Sequence, residues 1–303
     1  MNIRERMMSV YRNRVPDQMP VGIYKRYYRL GSVEREVRNM GMGIIDFHPI
    51  VSLLSPPWHM HEGYVSEVKN VELRIKYVWE NGKMMEFRIF ETPVGTLSQC
   101  LTKDPIYGSD WVSKHYIKET EDYKIMQYIV EHTVFRKNES QIREIIDDMD
   151  DDGVLLGRVD RSPYQKLLIE LAGPEKFLMD LLTTPEPIEE LMEVMAKKLD
   201  EQYKMAIESQ ADLVWQPDNI TSDMTPSNFL EKYCLPFYEK HGKQCRDAGK
   251  VYIVHMDCRT NAIKDLVARA PIDVVESPFA VFHWVLSSRV PNRFFEGSRM
   301  PSF

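Results

Sequence analysis

The 303-residue sequence lacks any long hydrophobic run. No window approaches the roughly 18 consecutive apolar residues that a membrane-spanning helix needs, so we expect no membrane partner. The amino terminus mixes charged with apolar residues and has no secretory signal pattern. The four cysteines, Cys100, Cys234, Cys245 and Cys258, show no paired spacing. These absences predict a cytoplasmic protein with reduced thiols.

Basic stripes and glycine-rich phosphate turns are also missing. The 39 basic and 46 acidic residues are mixed along the chain and give a net charge of −7, which argues against nucleic acid as a partner. Neither GxGxxG nor GxxxxGK[ST] occurs. Their absence counts against a nucleotide-binding doubly wound sheet, although such a sheet would otherwise fit the pattern of the chain.

Short apolar runs alternate with amphipathic helices along most of the chain. This alternation is typical of βαβ units in a parallel sheet and predicts an α/β fold of the (β/α)8 TIM-barrel type. The predicted strands are Val21–Tyr24, Gly43–Phe47, Val154–Val159, Asp212–Gln216, Val251–His255 and Ile272–Glu276.

Two segments depart from the barrel pattern. Residues 71–91 read as an antiparallel hairpin insertion, with Asn81-Gly82 supplying the tight turn; residues 98–116 read as irregular. The tail 277–303 is shorter than the roughly 50 residues that two more strand–helix pairs need. We therefore predict one barrel domain over 1–276, incomplete at its carboxyl end and followed by an atypical tail. Three alternatives stay open: a partner chain closes the barrel, the barrel stays open, or the chain is truncated.

Polar side chains end every predicted strand, and the carboxyl ends of parallel strands gather on one face. We predict catalytic roles for Asp218, Asn219 and His255. The substrate-binding residues predicted on the same basis are Tyr24, Asp46, Arg158 and Gln216. Two alternatives stay open: Asp218 shapes its loop, and Arg158 forms a structural ion pair.

The segment HMDC, from His255 to Cys258, offers several metal ligands. Imidazole, carboxylate and thiolate all suit a zinc-like ion, and we predict His255, Asp257 and Glu276 as ligands. The alternative is that His255 holds substrate or a backbone carbonyl. Trp58, His59 and His61 form a second candidate metal cluster or a substrate-lining loop.

Four segments together resemble a known family. The segments are ETPVGT (91–96), YIKETEDYKIMQYIVE (116–131), the stretch from WQPDNITSD to AGK (215–250) and VHMDCRTNAIKDLVARAPIDVVES (254–277). They resemble the uroporphyrinogen decarboxylase-like superfamily and, more closely, its corrinoid-linked methyltransferase branch. The resemblance covers roughly residues 1–277 and implies a (β/α)8 barrel.

The branch's thiol methyltransferases bind zinc through a His-x-Cys pair and a later cysteine. His255 matches the histidine, Asp257 stands in place of the first cysteine, and no cysteine follows Cys258. The resemblance therefore implies an oxygen-rich site of His255, Asp257 and Glu276 rather than a thiolate site.

The resemblance implies a corrinoid-dependent methyltransferase. It would move a methyl group between a small methylated substrate or thiol and methylcobalamin on a separate corrinoid protein. Porphyrinogen decarboxylation is the alternative activity, although KRYYRL (25–30) matches the decarboxylase motif poorly. A non-catalytic truncated remnant is a third interpretation, and a homodimer is considered among the partners.

Overall fold

The computed structural model describes residues 1–25, 31–52, 67–103 and 110–278, apart from the side chains of 257, 258, 277 and 278. Its main element is a six-stranded parallel sheet, whose strands follow one another in chain order. The strands are β1 (Val21–Tyr24), β2 (Met42–Pro49), β9 (Gly153–Arg158), β10 (Leu213–Gln216), β11 (Val251–Cys258) and β12 (Val274–Pro278). All six predicted strands are present, and their parallel chain-order arrangement is that of a TIM-barrel sheet over the described residues.

Helices precede or connect these strands. They are α1 (Ile3–Tyr11), α2 (Ser32–Asn39), α3 (Asp122–Glu131), α4 (Glu139–Met149), α5 (Pro163–Lys166), α6 (Pro174–Thr183), α7 (Glu186–Glu208), α8 (Ser227–Phe229), α9 (Leu235–Asp247) and α10 (Lys264–Val267). Single π-helical turns, Leu167–Leu171 and Leu230–Cys234, follow α5 and α8. None of the described helices combines the length and apolar content needed to cross a bilayer.

The two faces of the parallel sheet have different neighbours, because successive side chains of a strand point to opposite sides. The outer face carries Val214, Tyr252 and Val254, which belong to the large core shared with the helices. The inner face carries Leu156, Trp215 and Ile253, and helix α1 packs on it through Met7 and Met8.

Gly43 lets α1 approach the inner face closely. A Cβ atom at this position would collide with the side chains of Met7 and Ile3. The inner face is therefore filled near the amino ends of the strands, where α1 contacts β2 and β9.

A second, antiparallel sheet is inserted between β2 and β9. It consists of β4 (Glu72–Glu80), β5 (Lys83–Thr92), β6 (Gly95–Lys103) and β7 (Asp110–Lys114) in that order. The predicted hairpin is confirmed, and Asn81 (φ 51°) and Gly82 (φ 74°) form its turn. A two-residue pairing also links β3 (Glu67–Val68) to β8 (Thr133–Val134).

The expectation of irregular structure over 98–116 is wrong for β6 and β7. Strand β6 pairs with β5 from Gly95 to Thr102. Its buried side chains include Gln99 and Lys103 beside Leu97 and Leu101. These buried polar residues hide the apolar alternation by which a half-buried strand is recognised.

Candidate active site at the carboxyl ends of the strands

Each strand of the parallel sheet contributes one inner-face side chain near its carboxyl end. Direct register pairs join Trp215 to Arg158 and His255 to Glu276. We call this set the inner row; its members are Tyr24, Phe47, Arg158, Trp215, His255 and Glu276. Four of the six, Tyr24, Arg158, His255 and Glu276, are site residues predicted from the sequence.

Aromatic rings form the middle of the inner row. Phe47 stacks on Trp215 with ring centroids 5.3 Å apart, and Tyr24 meets Phe47 edge-on at 5.5 Å. The Arg158 guanidinium carbon lies 5.4 Å from the centre of a Trp215 ring, which is within cation–π range. The row therefore places packed aromatic rings beside a buried positive charge.

The other end of the row is a histidine–carboxylate pair. Glu276 Oε2 lies 2.7 Å from His255 Nδ1 and also accepts a 2.7 Å hydrogen bond from Trp215 Nε1. The His255 and Glu276 side chains are 12% and 17% exposed, so the pair reaches solvent. A carboxylate on Nδ1 fixes the ring and makes Nε2 the nitrogen that takes part in chemistry.

The carboxyl end of helix α1, at Tyr11, lies near this pair. Burial, together with the negative charge of Glu276, raises the pKa of Tyr11 far above its usual value. Tyr11 therefore stays a neutral phenol, and its ring packs against the apolar cluster of the inner face.

Asp46 and Gln216, two predicted substrate-binding residues, lie on the outer face instead. Asp46 accepts hydrogen bonds from Lys25 Nζ at 2.8 Å and from the Phe47 backbone at 2.9 Å. Gln216 is fully buried and accepts from the hydroxyls of Tyr203 (2.5 Å) and Tyr252. Strand alternation separates both residues from the inner row, so the expectation of one common cavity is wrong for them.

Asp218 is fully buried just past β10. Its carboxylate accepts from Ser162 N and Ser162 Oγ, both at 2.7 Å, and from Tyr238 Oη at 2.5 Å. Burial raises the pKa of this carboxyl, against the lowering effect of these donors. The residue ties the loop after β10 to the loop after β9, and its predicted catalytic role stays a prediction.

The backbone of Asn219 contacts the histidine–carboxylate pair. Its φ is 59°, and its N–H donates to the His255 carbonyl at 2.8 Å. Asparagine tolerates this left-handed conformation better than most residues. Asn219 thus links the ends of β10 and β11, and a catalytic role for its side chain also stays a prediction.

A buried charge cluster behind the strand ends was missed by the sequence reasoning. Lys166 Nζ bonds Asp160 Oδ1 at 2.8 Å and Glu170 Oε2 at 2.7 Å, and Arg161 Nε bonds Glu170 Oε1 at 2.9 Å. All four residues are less than 9% exposed. The detectable signal was the i, i+4 spacing of Lys166 and Glu170 inside an apolar helical stretch.

No three described His, Cys, Asp or Glu side chains converge on a metal-sized position. At the inner row, the described donors are His255 and Glu276, fewer than the three protein ligands of a catalytic zinc site. The Asp257 side chain and the segment with Trp58, His59 and His61 lie outside the described residues. Zinc ligation by His255, Asp257 and Glu276 stays a prediction.

A comparison with known protein families finds a match over the residues that contain β10, β11 and β12. Residues 161–278 match the family model of uroporphyrinogen decarboxylase. The family resemblance noted from the sequence is thereby confirmed, and three members of the inner row, Trp215, His255 and Glu276, lie within the matched residues.

A solved methyltransferase from Methanosarcina mazei has a similar fold. The TM-score is 0.51 at 11% sequence identity, and the match covers 91% of this chain and 75% of that chain. At this identity the likeness shows the fold alone. A comparison with curated proteins finds no match.

Proposed function

We propose that this protein is a uroporphyrinogen decarboxylase-like methyltransferase acting at the inner row. It moves a methyl group between a small methylated substrate or thiol and the corrinoid of a separate protein. The observation that carries the proposal is the solvent-reaching His255–Glu276 pair at the carboxyl ends of the strands, where barrel enzymes place their active sites. The fold shared with a methyltransferase supports the same reaction class.

His255 supplies the proton chemistry of this proposal. Methylation of a thiol releases the thiol proton, and the reverse transfer from a methylated oxygen needs a proton for the leaving group. An imidazole held through Nδ1 by Glu276 can take or give that proton at Nε2. Glu276 holds the imidazole ring through Nδ1 and so acts as a positioning residue.

The aromatic part of the inner row binds the substrate. Phe47 and Trp215 provide apolar contact area, and Arg158 attracts an anionic group such as a carboxylate. The corrinoid protein would dock over the carboxyl ends of the strands, where the inner row meets solvent.

The described donors do not complete a zinc site, so no step of this proposal passes through a metal. Metal binding is tested separately by reloading chelator-treated protein with zinc and measuring bound metal. Loading that is unchanged in His255→Ala would remove the predicted metal role of this residue.

The activity test uses methylcobalamin as donor and a simple thiol as acceptor, followed by visible absorbance and by detection of the methylated thiol. We expect His255→Gln to lower the rate about 10²-fold or more, because a general acid–base group is lost. His48→Gln is the matched control. His48 also ends a strand, but it faces α4 and contacts Gln141 at 3.1 Å. Equal activity of wild type and His255→Gln would overturn the proposal.

Decarboxylation of a porphyrinogen is the second candidate. The family match over 161–278 and the arginine beside the aromatic surface favour it, since the substrate of such a reaction is polyanionic. It predicts carbon dioxide release from uroporphyrinogen without any methyl donor. Protein that releases carbon dioxide but leaves methylcobalamin intact would replace the first proposal with this one.

A further inference from the structure

Trp215 lies between Arg158 and His255 in the inner row, because β10 lies between β9 and β11. The Arg158 guanidinium lies over its ring, and the ring stacks on Phe47. The side chain of Trp215 is buried. A buried indole N–H needs a hydrogen-bond acceptor, so the acceptor of Trp215 indicates what the ring does beyond packing.

Trp215 and His255 bond the same oxygen atom of Glu276. Trp215 Nε1 donates to Glu276 Oε2 at 2.7 Å, and His255 Nδ1 lies 2.7 Å from that atom. An indole nitrogen can only donate, whereas each imidazole nitrogen donates or accepts according to where the ring carries its proton, and a carboxylate oxygen accepts both bonds. The shared oxygen therefore places the proton of a neutral imidazole on Nδ1 and leaves Nε2 unprotonated.

The indole reaches Glu276 across the strand that carries His255. In the register of the sheet, Trp215 lies opposite Ile253, and Glu276 lies opposite His255. The indole therefore approaches the carboxylate from the amino-terminal side of the histidine–carboxylate pair. A glutamate side chain turns about several bonds, so a fixed donor on this side limits where its carboxylate can lie.

We propose that Trp215 is a positioning residue of the histidine–carboxylate pair. Its N–H holds Glu276 Oε2 in the place from which that oxygen orients His255, so that Nε2 is the nitrogen that exchanges a proton with the substrate. The effect of Trp215 on the reaction rate rests on the proposed function. Its effect on the imidazole tautomer does not, because the tautomer is a property of the protein without substrate.

The position of the imidazole proton is measured by ¹⁵N NMR of the chelator-treated protein without substrate, in alkaline solution where a histidine ring is neutral. The signals of His255 are identified by their absence from His255→Gln. We expect wild type to carry the proton on Nδ1. Trp215→Phe should show a mixture of the two tautomers, because Glu276 loses a donor that fixes its carboxylate. A wild type protonated on Nε2, or an unchanged tautomer in folded Trp215→Phe, would overturn the proposal.

Phe47→Leu is the matched control, since it also removes ring stacking from Trp215 but keeps the indole N–H. It should keep the wild-type tautomer, and a tautomer mixture in this variant would assign the effect to packing instead of the N–H. A second replacement does not depend on Trp215→Phe folding. Benzothienylalanine at position 215 keeps the shape of the indole and has sulfur in place of the N–H. Its tautomer mixture should match that of Trp215→Phe, and a wild-type tautomer would contradict the proposal.

Methyl transfer from methylcobalamin to a thiol is measured on the same proteins. We expect kcat of Trp215→Phe to fall about 10-fold, because a misplaced catalytic group slows the chemical step. A changed tautomer with an undiminished kcat would remove the positioning role and leave the proposed function in place. A wild type that transfers no methyl group would instead remove the proposed function, and the tautomer result alone would then decide the role of Trp215.

Discussion

Two histidines on opposite sides of the parallel sheet have contrasting surroundings. His255, on the inner face, is 12% exposed and has a carboxylate on Nδ1. His241, behind the sheet in α9, is 1% exposed and stacks on Tyr203 with ring centroids 3.8 Å apart. The same side chain can exchange protons with solvent in one place and fills the core in the other.

The same contrast holds for the charged groups around them. Behind the strand ends, the Lys166 cluster and Asp218 are buried, and three donors saturate the Asp218 carboxylate. In the inner row, the His255–Glu276 pair lies at the border with solvent. Changes behind the sheet should therefore cost stability, and changes in the inner row should cost activity.

The largest expected loss of stability comes from Lys166→Met. It leaves Asp160 without its buried cation and removes one of the two cations that contact Glu170, so we expect the free energy of unfolding to fall by about 3–5 kcal/mol. Urea unfolding measures this change. Lys243→Met is the control, because Lys243 pairs with Asp247 at the exposed surface of α9. A surface pair of this kind contributes at most about 0.5 kcal/mol, and equal losses in the two variants would contradict the distinction.

His241 should make the fold sensitive to acid. Burial lowers its pKa to about 4, from 6.5 in the unfolded chain. Between these values the unfolded state binds more protons, so stability falls as the pH falls. Over the whole window this group contributes a loss of about 3 kcal/mol. Urea unfolding at several pH values should show a smaller acid-induced loss for His241→Gln, and an unchanged pH dependence would argue against a neutral buried imidazole.

Asp218→Asn should lower the free energy of unfolding by a smaller amount. The amide keeps the shape but weakens the charge-assisted bonds from Ser162 and Tyr238, and we expect a loss of about 1–3 kcal/mol. Asp223→Asn is the control in the same loop, since Asp223 is exposed and lies 3.6 Å from Arg259. If Asp218→Asn unfolds like wild type but loses activity, Asp218 acts in catalysis rather than in support.

The positions of the parallel strands could be predicted from the sequence. The face of the sheet to which each strand-end side chain points could not. Apolar runs such as VLLG and LVWQ identify β9 and β10, because strands covered on both sides need apolar residues throughout. Because such strands are apolar throughout, they lack the apolar–polar alternation that would show which side chains point to which face of the sheet. Asp46 and Gln216 were therefore placed with Arg158 and His255, although they point to the other side.

The burial of these charges could not be predicted, for a related reason. Lys166 and Glu170 look like the solvated face of a helix, and Lys103 in β6 looks like part of a loop. Their partners lie outside their own helix or strand, such as Asp160 for Lys166 and Glu86 for Lys103. Only the packing of the two sheets and their helices brings such partners together.

The most direct test measures activity and stability of His255→Gln in parallel. The account predicts that the rate of methyl transfer from methylcobalamin falls about 10²-fold or more. The free energy of unfolding should stay within about 1 kcal/mol of wild type, because the side chain lies at the edge of the core. A variant that keeps its rate, or that loses it only because the protein unfolds, would contradict the assignment of the inner row as the reactive site.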